Sequence, residues 1–234
     1  MYYLWKKEVS SYFATPFGFV FMGIFLLLSG LSFTTSNLLG GNGDLSGMFG
    51  LLSNMSFMTF PVLTMRLFAE ERRAGTENLL LTSRLTIPQI VLAKYLAAVT
   101  VFLITMLATL VYVGIIVTYG YPNLGALAAS YLGYILLGTA MIAVCTFTSS
   151  LADNQVTAAI LSFGALFVLV MMSAFSRSMQ VPIIAPVLRA MSITLRYDEF
   201  IRGIFRLGPV CYYIGYSIIF LFFAVKNMQR RRLN

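Results

Sequence analysis

The sequence has no histidine among its 234 residues, and only 10% of its residues are charged. Without histidine, the chain has no Ser-His-Asp triad, no His-ligated zinc site and no imidazole general base. It also has no P-loop sequence of the form G-x-x-x-x-G-K-[ST], so it does not bind nucleoside triphosphates by that route. The two cysteines, Cys145 and Cys211, fall in different apolar stretches, and we expect both to be buried and reduced.

Apolar residues make up 59% of the chain, and its mean hydropathy is +0.86. A soluble domain carries roughly 25% charged residues, far more than this chain does. Asp, Glu, Lys and Arg are absent from the windows 17–39, 48–65, 95–119, 125–149, 156–175 and 207–225. Each window has about the length that an α-helix needs to cross a bilayer. The sequence therefore predicts an all-α integral membrane protein with six spans, forming one domain over residues 1–234.

The basic residues are unevenly distributed between the two sides that six spans define. Residues 1–16, 66–94 and the tail after 225 carry eleven of the 16, whereas the connection 176–206 carries five. Because cytoplasmic loops are enriched in Lys and Arg, this bias places both termini and the 66–94 loop in the cytoplasm. It also explains the net charge of +8 without a nucleic-acid partner.

Residues 2–15 have the pattern of a basic amphipathic helix that lies in the interface on membrane lipids, an elbow before the first span. The apolar positions share one helical face, namely Trp5, Val9, Tyr12 and Phe13. Lys6 and Lys7 fall outside this stripe. The helix should end at Thr15, because a residue before proline is disfavoured in the α conformation. The alternative is a frayed tail.

The 66–94 loop is the most informative connection in the sequence. Glu70 and Arg73 stand at i and i+3, which favours one helical turn, and Gly75 offers a helix end. Residues 76–85 then form a compact unit whose central leucines are Leu79, Leu80 and Leu81. Exposed leucines on a cytoplasmic projection need cover, either by folding back on the membrane or by docking into a groove on another protein.

Thr86-Ile-Pro-Gln89 is typical of a capping box with proline in the first turn. It predicts that the helix of the third span begins on the cytoplasmic side. In the second span, Asn54 and Pro61 favour contact with other protein rather than lipid. For Asn54 an interhelical hydrogen bond is more expected than a substrate contact.

The connection 176–206 is too long for a plain loop. Residues 182–195 are apolar except for Arg189 and too short to cross a bilayer, so they are expected to form a re-entrant or interfacial hairpin. The segment from Tyr197 to Ile204 follows as a second amphipathic element on the outer side. It would either gate a substrate path or cap the bundle, and the cap is slightly favoured.

The six windows hold no Asp, Glu, Lys, Arg or His, the residues with which ion-coupled carriers build their sites at membrane depth. Energy for uphill transport would therefore have to come from a partner, received by the 66–94 loop and the elbow. Two other classes stay open at this point: a membrane scaffold or assembly factor without transport, and a secondary carrier or channel. An apolar path without charged groups is compatible with lipids, peptides or hydrophobic drugs as cargo, and with no cargo at all.

Three passages carry a likeness to a known family. They are residues 6–16, running into the first span; residues 65–83, with the string M-R-L-F-A-E-E-R-R-A-G-T; and residues 200–204, F-I-R-G-I, ahead of the last span. Together they resemble the ABC-2 family of ABC-transporter permeases. Its short six-span branch, which includes gliding-motility-associated and nitrous-oxide-reductase maturation permeases, is the most similar.

The resemblance implies a permease subunit of the bacterial cytoplasmic membrane that pairs with a second permease subunit, identical or not. It implies that separate ABC ATPase subunits bind ATP and Mg²⁺ and press on a coupling helix at 76–85, while this chain holds no cofactor and is not an enzyme. The coupling interface would be Glu71, Arg72, Gly75, Thr76, Glu77, Leu79, Leu80 and Leu81. The elbow would use Trp5, Lys6, Lys7, Glu8 and Tyr12. The outer gate or cap would be Tyr197, Phe200, Arg202 and Gly203.

Overall fold

A computed structural model of the chain describes residues 1–41, 43–73, 75–76, 85–119, 123–178 and 192–233. Within these ranges every regular element is a helix. Helical stretches long and apolar enough to cross a membrane are Pro16–Leu38, Ser46–Arg73, Ile87–Thr118, Leu124–Leu151, Gln155–Phe175 and Leu207–Arg231. The prediction of an all-α membrane protein with six spans is confirmed.

The helices of the described ranges are named in chain order. They are α1 Tyr2–Ala14, α2 Pro16–Phe33, α3 Ser46–Thr64, α4 Ala69–Arg73, α5 Ile87–Ala108, α6 Leu110–Tyr119, α7 Leu124–Leu151, α8 Gln155–Ser178, α9 Tyr197–Ile201 and α10 Leu207–Leu233. A π-helical turn, Thr34–Leu38, extends α2. The predicted hairpin 182–195 lies outside the described residues except for its last four positions, and so does most of the 76–85 segment.

The elbow helix is present and ends where proline requires it to end. Thr15 is extended, with φ −116° and ψ 156°, and Pro16 occupies the first turn of α2. The helix does not rest on lipid alone, since it packs along α5. The indole of Trp5 donates a hydrogen bond to Thr100 Oγ1 over 3.1 Å. The elbow is therefore part of the bundle as well as of its surface.

The helix of the third span begins at Ile87, earlier than the charge-free window starts. The predicted capping box is formed: the Thr86 side chain accepts from the N3 backbone, and the Gln89 side chain accepts from the Thr86 amide over 3.1 Å. Lys94, which the sequence analysis counted in the connection 66–94, consequently lies inside α5 and is buried. The sequence analysis did not predict this burial, which paired carboxylates, described below, make possible.

The core of the bundle surrounds α7, which packs against α3, α5, α8, α9 and α10. Fully buried rings meet there, with Phe102 5.3 Å from Phe60 and 6.1 Å from Tyr134 between ring centroids. Gly138 makes room for them, because a Cβ at this position would lie 2.5 Å from ring atoms of Phe102. Such close approach over small residues is how helices pack within membranes.

Hydroxyl groups join helices within the spans. Ser56 and Tyr134 hydroxyls lie 3.0 Å apart, and those of Thr148 and Ser162 lie 2.6 Å apart. Asn54 behaves differently, because it is exposed and its Nδ2 donates to the carbonyl of Gly50 in its own helix over 2.9 Å. Within the described residues, the interhelical bond predicted for Asn54 is not formed.

Candidate functional site

The bundle has two polar ends. The elbow end carries α1, α4, the α7–α8 turn and the C-terminal part of α10, and the distal end carries α9 and the π-helical turn of α2. Because six spans separate the two termini, both termini belong to the elbow end. The residues predicted to receive a partner lie at the elbow end, and those predicted to form the outer gate or cap lie at the distal end.

A buried ammonium joins three elements at the elbow end. Lys94 Nζ of α5 lies 3.1 Å from Glu8 Oε1 of α1 and 2.9 Å from Glu71 Oε1 of α4. The lysine side chain is 1% exposed and each carboxylate side chain 15%. An unpaired charge at such a position would cost several kcal/mol, so the carboxylates are what allows α5 to bury it. We name this cluster the Lys94 triad.

A second buried cation, Arg66, ties the turn after α3 to the elbow. Its Nε lies 2.7 Å from Glu70 Oε2, and its Nη2 donates to Ser11 Oγ over 2.7 Å. Its Nη1 donates to the Thr15 hydroxyl. The sequence analysis paired Glu70 with Arg73 instead; the helical turn is confirmed, but Glu70 turns back to Arg66, one helical turn earlier.

Tyr12 adds a neutral tie between the elbow and the end of α3. Its hydroxyl donates to the carbonyl of Leu63 over 2.8 Å, and the Arg66 guanidinium lies 5.2 Å from its ring centroid. Burial raises the pKa of the Tyr12 phenol, because desolvation disfavours the phenolate. The phenol therefore stays protonated and serves as a hydrogen-bond donor.

Arg72, next to Glu71 on α4, turns to the other side and reaches the C-terminus of α7. Its Nη2 donates to the carbonyl of Ser150 over 2.6 Å, and its Nη1 donates to the carbonyl of Ala152. Asn227 Nδ2 of α10 donates to the same Ser150 carbonyl over 2.7 Å. These carbonyls have no partner within the helix, and they lie at its negative end, so cationic donors stabilise them.

Arg231 completes this cap from the end of α10. Its Nη2 donates to the carbonyl of Leu151 over 3.0 Å, and the guanidinium lies 3.4 Å from Asp153 Oδ1. The same carboxylate lies 3.9 Å from Arg72 Nη1. The donors from α4 and α10 thus bind the last turn of α7, an arrangement that we name the α7 cap.

Gly75 ends α4 as the sequence predicts. Its φ is +67°, its amide donates to Arg72 O over 3.1 Å, and the Thr76 amide donates to Glu71 O over 2.9 Å. This is the Schellman motif, which requires the left-handed conformation that glycine adopts without strain. The predicted coupling residues that follow, Glu77 and the three leucines Leu79, Leu80 and Leu81, lie outside the described residues.

The space between α1, α4 and α5 is a small polar cavity of about 230 Å³. Its lining comprises Lys7, Glu8, Ser11, Arg66, Glu70, Glu71, Thr76 and Lys94. Acidic and basic side chains are equal in number there, which suits a cluster that binds itself rather than a charged ligand. Among the described residues no group of three or more Cys, Asp and Glu could hold a metal ion.

The distal end is built from aromatic packing. Tyr197 and Phe200 of α9 are fully buried against α7. The Tyr197 hydroxyl donates to the carbonyl of Ser130 over 3.2 Å, and the Ser130 hydroxyl donates to the carbonyl of Phe200 over 3.4 Å. Gly133 faces Phe200 so closely that a Cβ there would lie 2.5 Å from the Phe200 Cβ.

Helix α9 ends in the same way as α4. Gly203 has φ +74°, its amide donates to Phe200 O over 2.9 Å, and the Ile204 amide donates to Glu199 O over 3.0 Å. Arg202 is exposed beside this turn. The motifs R-R-A-G-T and F-I-R-G-I therefore encode the same backbone feature, a short helix closed by a Schellman motif.

The structure brings together some of the predicted site residues and separates others. Glu8, Glu71 and Thr76 line one cavity, whereas Arg72 belongs to the α7 cap. Of the remaining elbow residues, Trp5 and Tyr12 bind the bundle, while Lys6 and Lys7 are exposed. The sequence analysis gave no site role to the residues that bind α4 and the α7 terminus, namely Arg66, Lys94, Ser150, Asp153, Asn227 and Arg231.

A signal for Lys94 was nonetheless present in the sequence. Lys94 falls four residues after Ile90 and four before Ala98, on the stripe of α5 that is buried. A lysine on an apolar stripe needs an anionic partner. The capping box and this spacing together predict a buried charge, although they do not name Glu8 or Glu71.

Comparison with known families gives one match. The family model described as ABC-2 family transporter protein matches residues 40–225, well over half of the chain and all of it from just before α3 to within α10. No curated protein matches the chain.

Proposed function

We propose that this chain, which belongs to the ABC-2 family of transporter proteins and is a permease component of an ABC transporter, works through separate ABC ATPase subunits. It converts their ATP-driven movement into a rearrangement of its own spans. Such a component implies association with ABC ATPase subunits. The proposal adds the route, through α4 and the 77–84 segment that follows it. It also places the chain in the short six-span branch of the family, as an exporter or an energy-transmitting subunit.

The attachment of α4 is the observation that carries this proposal. Glu71 binds α5 and the elbow, and Arg72 binds the end of α7. A force on the segment just after Gly75 therefore reaches two groups of spans through adjacent residues.

ATP and Mg²⁺ belong to the partner in this proposal. The sequence has no P-loop and no histidine. The buried cations Lys94 and Arg66 are paired with carboxylates of the chain itself rather than facing an open nucleotide site. The described residues of the permease would contribute the transmitting contacts. The chain itself would not be an enzyme.

A second permease subunit would cover the exposed stripe of α3. Along that stripe lie Leu51, Asn54, Met55 and Met58, all exposed in the single chain. An amide facing hydrocarbon is unfavourable, because lipid offers it no hydrogen-bond partner. The polar Asn54 therefore favours a protein surface or a hydrated path over lipid at this face. A second permease subunit, paired with this chain around a central path, would supply that surface.

The elbow end would face the bacterial cytoplasm, as the positive-inside bias predicts. Thiol labelling of intact cells tests this in a Cys211→Ser background, because Cys211 is exposed and Cys145 is buried. Gly43→Cys, in the exposed α2–α3 turn, should react with an impermeant reagent. Thr76→Cys should react only after permeabilisation. The opposite pattern would invert the topology.

The partner is tested by purification of the native complex in mild detergent. Mg-ATPase activity should co-purify with the chain, and a P-loop protein should be found in the same fraction. Gly75→Pro cannot adopt the required positive φ, so it should leave insertion intact and abolish the effect of the permease on ATP turnover. Recovery of a lone chain with no ATP-hydrolysing partner would favour a scaffold or a secondary carrier and contradict the proposal.

A further inference from the structure

The Lys94 triad binds three separate stretches of the chain through one nitrogen atom. Glu8 lies on the elbow, Glu71 on α4, and Lys94 on α5, with distances of 3.1 and 2.9 Å to the ammonium. The ring of Phe68 covers the ammonium from 5.5 Å. Neither carboxylate bonds the other, so their shared cation is what holds the elbow against α4 at this point.

Charge repulsion makes the arrangement dependent on the lysine. Two carboxylates that share one ammonium would repel each other if that ammonium were removed, and both are largely shielded from water. The elbow and α4 would then separate at the cavity between them. The remaining tie from Arg66 reaches the far end of the elbow, at Ser11 and Thr15, and does not include α5.

We propose that Lys94 is a positioning residue that makes the elbow, α4 and α5 move as one body, so that displacement of the segment after Gly75 is delivered to the third span. The delivery of movement to the third span rests on the proposed function. The mechanical statement, that the elbow, α4 and α5 move as one body, concerns the chain alone. Glu71 is the residue through which α4 binds α5 within this body. Arg72 binds the α7 cap, so α4 connects this body to the end of α7.

The mechanical statement is tested on the full chain in nanodiscs by electron–electron distance measurement. Spin labels at Ser10→Cys and Thr76→Cys, both exposed, report the separation of the elbow and α4 in the Cys211→Ser background. The distance distribution should be narrow. Lys94→Met should broaden it and move it to longer distance, and Lys94→Arg should restore most of the narrow distribution.

Lys226→Met is the matched control, because it removes the same charge from an exposed position on α10. It should leave the distribution unchanged. Should Lys94→Met fail to fold, the triple variant Lys94→Met, Glu8→Gln, Glu71→Gln leaves no unpaired charge and is expected to insert. It should still broaden the distribution. An unchanged distribution in Lys94→Met or in the triple variant would overturn the proposal.

A second measurement on the complex with its ATPase separates this proposal from the function on which it rests. With Lys94 in place, Mg-ATP should move positions 10 and 76 together, so the distance between their labels should change little. In Lys94→Met, Mg-ATP should change that distance. If no ATPase is found, the proposed function fails while the nanodisc result still stands. If Mg-ATP changes the separation equally in both chains, Lys94 does not position the elbow and α4, and the proposal fails while the function survives.

Discussion

Two five-residue helices, α4 at the elbow end and α9 at the distal end, are built alike and attached differently. Each begins with acidic residues and ends at a glycine in a Schellman motif. Helix α4 is attached by ion pairs and by guanidinium-to-carbonyl bonds. Helix α9 is attached by two fully buried aromatic rings, of which Phe200 lies against Gly133. An ion pair or a hydrogen bond can be broken and formed again without changing the packed volume, but a ring seated on a backbone cannot move without opening a cavity. In the proposed function the rearrangement therefore takes place at the attachments of α4, whereas α9 stays packed on α7.

The largest effect is expected from Phe200→Ala at the distal end. Removing a fully buried ring should cost about 3–5 kcal/mol of unfolding free energy. Thermal unfolding in detergent can be followed by a thiol-reactive dye on the buried Cys145, in the Cys211→Ser background. Phe175→Ala, whose ring is exposed on α8, is the control and should change the free energy by less than about 0.5 kcal/mol. Equal melting temperatures for the two variants would contradict the claim that buried aromatic rings hold α9 on α7.

Gly133→Ala probes the same contact from the other side. The new Cβ would lie 2.5 Å from the Phe200 Cβ, so the ring or the helix must shift, at a cost of about 1–3 kcal/mol. At Gly164, within α8, an added Cβ would have no neighbouring atom within 4 Å. Gly164→Ala should therefore be neutral or stabilise the helix by up to about 1 kcal/mol. Both substitutions are read from the same melting curves. A Gly133 variant as stable as the Gly164 variant would show that Phe200 is not seated on α7.

At the elbow end, Arg72→Gln should cost about 1–2 kcal/mol, because carbonyls at the end of α7 lose a cationic donor. Its neighbour Arg73 is exposed, and Arg73→Gln should be close to neutral. Hydrogen exchange of the peptide that contains the α7 cap is the measurement, with faster exchange expected only for the Arg72 variant. Identical exchange in both variants would mean that α4 does not hold the end of α7.

The smallest effect is expected between the two ends, where Ser56 and Tyr134 share a hydroxyl contact. Hydrogen bonds between membrane helices average about 0.6 kcal/mol in double-mutant cycles. The cycle of Ser56→Ala with Tyr134→Phe should therefore give a coupling energy of that size. A coupling of several kcal/mol would make the middle of the bundle, and not the distal end, its most strongly fixed part.

Much of the fold could be predicted from where charges are absent. The windows located all the spans, and the capping box at Thr86 located the start of α5. The helices run past the windows because they include charges that tertiary contacts neutralise: Lys94 in α5 and Arg231 in α10. Local periodicity cannot reveal these contacts, since Glu8 lies 86 positions from Lys94 and Arg231 lies 78 from Asp153. The partner of Glu70 was missed for a different reason: Arg66 and Arg73 both stand at helical spacing from it, and spacing alone does not choose between them.

The candidate site was predictable at the level of segments and not of bonds. The elbow, the end of α4 at Gly75 and the 197–204 segment were identified from amphipathic spacing and from the family resemblance. That Glu71 and Arg72 turn to opposite sides follows from the helical rotation of about 100° per residue, but their partners come from α5 and α7, which only packing brings near. Both cysteines are free and Cys145 is buried, as expected, but the expected burial of Cys211 was wrong, because its side of α10 is exposed in the single chain.

The central claim, that α4 passes ATP-driven movement from the partner to the spans, is tested most directly by thiol accessibility at both ends of the bundle. The complex with its ATPase is placed in vesicles, and labelling rates of Thr76→Cys and Ile204→Cys are compared with and without Mg-ATP in the Cys211→Ser background. The account predicts that Mg-ATP changes both rates in the native chain. It also predicts that charge reversal at Glu71 and Arg72 abolishes the change at Ile204→Cys while the ATPase remains bound. An Ile204→Cys response that survives this reversal unchanged would contradict the account.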